Sequence, residues 1–202
     1  MARDTKTYQE YLDRFQRLAG IDLLSDDEKE FALAFFNRNL RFIYRAYEWP
    51  FLCPVEERSP DSDDVIVWAQ VGETVIGEVL ECWRDDPFSN VVPRAVPYNL
   101  TPDGIQFSGE LVYDPTYVWL RPRLTECTGT VGYTFPYDFF EYVCHASFAD
   151  WLGSNEQIAN GAFQRNVAEQ IMVDEIEQWS RQQKIKSLRN TTRTHGTQQQ
   201  RN

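Results

Sequence analysis

The segment that most limits this chain's possible folds reads SDDEKEFALAFFNRNLRFIYRAY and runs from Ser25 to Tyr47. Its apolar residues recur at helical spacing in two sets rather than one. Phe36, Leu40, Ile43 and Tyr47 share one side, and Phe31, Phe35 and Phe42 lie on another. Ser25 and Glu28 stand at capping-box spacing, which satisfies two orphan amide donors and starts the helix. Trp49-Pro50 stops it, because proline excludes the α region from the residue before it. About 22 residues at 1.5 Å each make a rod of roughly 33 Å. A helix apolar over so much of its circumference must be covered on more than one side, by another element or by a neighbouring subunit.

Other helices flank it. Tyr8, Tyr11, Leu12, Phe15 and Leu18 predict a helix from about Thr7 to Ala19, closed by Gly20. Near the other end, Asp138 with Glu141 predicts a cap for a helix to Leu152, with Phe140, Val143, Ser147 and Trp151 as its buried stripe. Gly153 closes that helix, and Ser154 with Gln157 opens a last one reaching about Ile185. There Phe163, Val167, Ala168, Ile171, Met172, Ile176 and Trp179 form one broad arc.

The middle of the chain reads differently. An acidic loop spans Glu56 to Asp64, followed by the strand-like DVIVWAQV (64–71). TVIGEVLECW (74–83) fits strand or helix by spacing, and Gly77 favours the strand. Asp85-Asp86-Pro87 and Asp103-Gly104 mark turns, and prolines between 91 and 107 belong at edges. TYVWLRPR (116–123) and TGTVGYTF (128–135) read as two more strands. The expected fold class is therefore α+β: a helical bundle body of about four helices, an inserted small antiparallel β module, and an extended C-terminal arm. The expected divisions are 1–53 and 137–186 for the body, 54–136 for the β-rich module, and 187–202 for the arm.

Charge separates the ends of the chain from its bulk. The formal net charge is −11, yet residues 181–202 hold six basic side chains and no acid, leaving −17 for residues 1–180. An acidic body disfavours broad DNA binding, which needs Lys and Arg to neutralise phosphates. Residues 189–202, RNTTRTHGTQQQRN, contain no large apolar side chain. Burial cannot offset their ordering entropy, so the segment reads equally as a frayed terminus or as an arm that orders only against a partner.

Catalytic and metal motifs are absent from the sequence. Cys144 and His145 are helical neighbours pointing about 100° apart, so they make no nucleophile and base pair. Asp61, Asp63 and Asp64 suggest a calcium loop, but Ile66 and Gly72 fall where such a loop needs Gly and Glu. Cys53, Cys82, Cys127 and Cys144 are scattered and read as buried thiols. There is no phosphate-binding loop, nucleophile elbow or HExxH. The expectation is no enzyme activity, no cofactor and no metal. With no run of roughly 20 apolar residues and no signal-like leader, a soluble cytoplasmic protein is expected.

Several separated stretches carry a resemblance. RFIYRAYEWPFL (41–52) resembles the long helix and aromatic hinge of head-to-tail connector (adaptor) proteins of tailed bacteriophages. IGEVLECWRDDPFSNVVPRAVPYNLTPDGIQF (76–107) with VWLRPR (118–123) is similar to the β module of structural proteins from that neighbourhood. FPYDFFEYVCHASFADWLGSNEQIANGAF (135–163) and its continuation resemble their closing helical pair. Here the mid-chain prolines and acidic loop make the module longer than in the simplest adaptors.

The resemblance implies a virion structural protein in the neck, assembled in the bacterial cytoplasm as a ring, usually of twelve copies, beneath the portal. Its partners would be the portal ring, a downstream tail or neck protein, further copies of itself, and genomic DNA passing through the lumen without specific binding. No membrane is implied. Lys184, Lys186, Arg189, Arg193 and Arg201 would dock the arm on the portal. Trp49, Pro50 and Phe51 would form the hinge, or serve simply as core packing, and Phe31, Phe35, Phe42 and Trp179 are candidates for subunit contacts. A tail-completion or terminator ring is the alternative reading, and a carbohydrate-binding or hydrolytic module a third.

Overall fold

The computed structural model describes residues 4–61, 63–69, 74–89, 92–107 and 116–198, with side chains as far as Arg181. Two compact units emerge: residues 1–47 with 126–202, and residues 48–125.

The first unit is helical. Helix α1 (Tyr8–Ala19) starts at Thr7, whose hydroxyl accepts from the Glu10 amide while the Glu10 carboxylate accepts from the Thr7 amide. Gly20 closes it in the left-handed region, φ 68°, where a side chain would be strained. Helix α2 (Asp26–Ala46) carries the expected Ser25–Glu28 capping box. Its Phe36 is the centre of an aromatic core, with Tyr8, Tyr11 and Phe135 rings 4.7–5.1 Å away. Helix α3 (Phe140–Ser154) is buried on nearly every side, from Tyr142 and Val143 to Ala149 and Leu152. Helix α4 (Ile158–Gln198) packs along α3. Gly161 allows that approach, since a Cβ there would lie 3.0 Å from the Ala149 carbonyl oxygen.

Two short strands, β1 (Thr5–Thr7) and β8 (Thr134–Pro136), pair antiparallel in this same unit. The remaining strands form the second unit. Here β2 (Val55–Arg58), β7 (Thr116–Pro122) and β4 (Ile76–Trp83) make one antiparallel sheet, with β7 in the middle. A second sheet holds β3 (Val65–Val67), β6 (Gly104–Phe107) and β5 (Tyr98–Leu100). One core serves both sheets, built on Ile66, Ile76, Cys82, Val96, Ile105, Phe107, Val118 and Leu120.

The expected fold class is corrected in three respects. Among the described residues there are four α-helices with three small antiparallel sheets, not a bundle with a single inserted β module. Residues 128–133 form no strand, and Thr134–Pro136 pairs with β1 in the helical unit. The extended C-terminal arm is replaced by helix as far as Gln198. A helical backbone satisfies its own amides and carbonyls without tertiary burial, and no proline stands between 189 and 198 to stop it.

Local expectations also shift. The acidic loop begins later than expected, because Val55–Arg58 is β2. Asp138 does not cap α3. A 3-10 turn, Tyr137–Phe139, precedes that helix, which starts without a side-chain cap. Ser154 does not open α4, since its hydroxyl donates back to the Trp151 carbonyl and α4 starts only at Ile158. The ambiguous 74–83 stretch is strand, and Gly77 is required there. A Cβ would sit 2.9 Å from the Arg123 Cα and the Pro122 carbonyl oxygen.

Candidate functional site

The helical unit contains a groove of about 560 Å³ whose wall includes Arg38, Arg41, Arg45 and Arg165, with Phe42, Tyr142 and Glu169. Three of the arginines come from α2 at spacings of three and four residues, which places them on one helix face. Arg165 arrives from α4, and Tyr142 from α3.

Beneath the groove lies a polar hub. The Asp150 side chain, only 8% exposed, is approached through Oδ1 by both Arg38 and Arg165. Its Oδ2 accepts from Asn39 Nδ2 at 2.8 Å. Asn39 Oδ1 in turn accepts from Arg165 Nη1 at 3.1 Å, and its Nδ2 also donates to the Phe35 carbonyl at 2.9 Å. Buried polar groups must be hydrogen-bonded, and this hub achieves it by tying α2, α3 and α4 to one carboxylate.

The groove mixes charge with aromatic surface. Phe42 stacks on Tyr142 with ring centroids 6.3 Å apart and remains 57% exposed. Burial pushes the Tyr142 hydroxyl up to about 12, against the opposing pull of the nearby Arg165. It therefore stays a neutral phenol at physiological pH. Arg41 pairs with Glu126. The four arginines set against Glu169, Asp150 and Glu126 leave one positive charge in excess, on a chain of net charge −11. Such a wall suits a partner that offers carboxylates and apolar side chains together.

The predicted site residues fall in several places. Phe31 is 58% exposed and stacks on half-buried Phe35 at 6.4 Å, with the Arg38 guanidinium 5.9 Å from the Phe35 ring. Phe31, Phe35 and Phe42 thus share the face of α2 opposite Phe36, Leu40 and Ile43, which are fully buried. Trp179 is half-buried on α4. Trp49 is fully buried at the start of the second unit, with Phe51 5.9 Å away and Pro50 exposed. The Trp49 carbonyl accepts from the Leu52 and Cys53 amides, forming a turn. Lys184, Lys186, Arg189 and Arg193 lie on the α4 backbone. Their side chains, and all of Arg201, lie outside the described residues.

Sequence reasoning missed Arg38, Arg41, Arg45, Asn39, Asp150 and Arg165. The signal for the first three was present in their i, i+3, i+7 spacing along α2, but only the apolar positions of that helix were weighed. Nothing local links Asn39 to Asp150 or Arg165.

The four cysteines are buried thiols outside any disulfide. Among the described residues no cluster of His, Cys, Asp and Glu is arranged to hold a metal ion. No helix there is long and apolar enough to cross a membrane. No protein-family model matches the chain, and no curated protein matches it.

Proposed function

We propose that this chain is a virion structural protein, a head-to-tail connector that forms a ring under the portal, joins capsid to tail and continues the DNA channel. The observation that carries the reading is helix α4. The Ser180 hydroxyl lies 3.3 Å from the Tyr47 hydroxyl at the end of α2, and α4 continues from there to Gln198. That last stretch of α4, 181–198, holds five basic residues and no acid. A basic helical end on an acidic body suits an acidic crevice outside the chain, and in the connector reading the crevice belongs to the portal. Lys184, Lys186, Arg189 and Arg193, with Arg201 beyond, are the proposed contacts.

Exposed apolar side chains on the helical unit support assembly into a ring. Phe31 and Phe42 on α2, and Ile158 and Phe163 near the start of α4, are exposed and offer apolar surface on two different helices. A closed ring needs two different patches per subunit, because its contacts are heterologous. The acidic body suits a channel through which DNA slides without sticking.

The test is binding to assembled portal rings. Truncation after Lys186, or the pair Arg189→Glu and Arg193→Glu, is expected to abolish co-sedimentation while leaving the midpoint of thermal unfolding unchanged. Truncated chain that binds portal like the full chain overturns the reading.

A further inference from the structure

The outer face of α2 is zoned along its length. Positions 27, 31, 38 and 45, and their neighbours 30, 34, 35, 41 and 42, return to one face of a helix with 3.6 residues per turn. The face begins acidic, with Asp27 and Glu30, both exposed. Phe31 and Phe35 follow with Ala34 beside them. It ends basic, with Arg38, Arg41 and Arg45 around exposed Phe42.

The acidic and basic zones cannot satisfy each other within one molecule. Asp27 and Arg45 are 18 residues apart, roughly 27 Å along the rod. Arg45 has no ion-pair partner among the described residues, and neither Asp27 nor Glu30 is held by an arginine. A second copy laid antiparallel meets both needs at once. It sets Asp27 of each copy against Arg45 of the other, and Glu30 beside Arg41, which also holds Glu126 of its own chain, with the two-fold axis near position 36. The small Ala34 side chain falls near the crossing, where it lets the two helices approach, and the Phe31 and Phe35 rings flank it. A parallel arrangement in register would place acid on acid and base on base.

We infer that two copies of this chain pair in solution through the outer faces of α2, antiparallel about a two-fold axis. The contact is isologous, since each copy offers the same self-complementary face. It belongs to the free chain and does not rest on the connector reading. In a connector the pair is the form that precedes the ring, because the same aromatic face cannot serve both.

Sedimentation equilibrium of the full chain alone, without portal, tests this. The mass is expected to rise with concentration from 23.7 kDa toward twice that value and no further. Arg41→Glu with Arg45→Glu makes both ends of the face acidic, and Asp27→Lys with Glu30→Lys makes both ends basic. Each double variant alone is expected to weaken pairing at least tenfold. An equimolar mixture of the two restores it, because acidic ends of one variant then meet basic ends of the other. All four positions are exposed, and circular dichroism checks that each variant is folded. A native chain that stays single at high concentration overturns the inference. So does pairing indifferent to both reversals, a mixture that fails to restore it, or growth beyond two copies. Pairing lost with portal binding intact removes this inference alone, and the reverse result removes the connector reading alone.

Discussion

Asn39 on α2 and Asp150 on α3 share a hydrogen bond of 2.8 Å where solvent barely reaches, the amide donating to a carboxylate that two guanidinium groups also grip. Three helices therefore depend on one side chain. A carboxylate this enclosed is tolerable only because every oxygen is partnered, and the same logic makes its removal costly.

Replacing Asp150 with Ala takes the carboxylate from the Arg38 and Arg165 guanidinium groups and one acceptor from the Asn39 amide. Breaking a largely buried pair leaves an uncompensated charge, and the expected loss is about 3 kcal/mol of stability. Urea denaturation followed by far-UV circular dichroism should show the midpoint fall in Asp150→Ala, with a smaller fall in Asp150→Asn. A midpoint unchanged in Asp150→Ala would show that the hub contributes little.

A second buried charge holds the other unit. Arg58 on β2 is fully buried, donating to Glu56 Oε2 at 2.6 Å and to the Thr74 carbonyl at 2.8 Å. Glu56→Ala is expected to cost about 3 kcal/mol, whereas Arg58→Met stays within about 1 kcal/mol, since an apolar side chain of similar length replaces the charge. The double variant should recover most of the loss from Glu56→Ala. Tryptophan fluorescence suits the measurement, because Trp49, Trp68, Trp83 and Trp119 all lie in this unit.

Acid should loosen the start of α1. The Lys6 ammonium, with the Thr7 amide, holds the Glu10 carboxyl down at about 2 against an ordinary value of 4.5. A carboxylate lowered on folding adds stability above its unfolded value, and that stability is lost as pH falls through the folded one. The melting-temperature gap between the native chain and Glu10→Gln is therefore expected to be full near neutral pH and to close between about 4.5 and 2. A gap that stays constant over this range would contradict the assignment.

The first two helices were legible because their signals are local. Ser25 and Glu28 sit three residues apart, and Gly20 marks a left-handed stop. Where the deciding contact was distant, reading failed. Asp138 and Glu141 have capping spacing, but Phe139 drops fully into the core and a 3-10 turn forms instead. Glu56 and Arg58 read as loop because they are charged, yet they neutralise one another inside a sheet. Strand β1 is three residues long, too short for alternation to show, and owes its existence to partners about 130 positions away.

The groove was half legible. Arg38, Arg41 and Arg45 announce a common face by spacing alone, while Arg165 and Tyr142 reach it only through the packing of α3 and α4 on α2.

The contact between Tyr47 and Ser180 ties α4 to the end of α2. The 18 residues from 181 to 198 extend roughly 27 Å past it as a single helical rod. In a rigid rod of that length a tilt of about 10° at Ser180 displaces Gln198 by about 5 Å, so the packing of α4 near Ser180 sets where its basic residues stand.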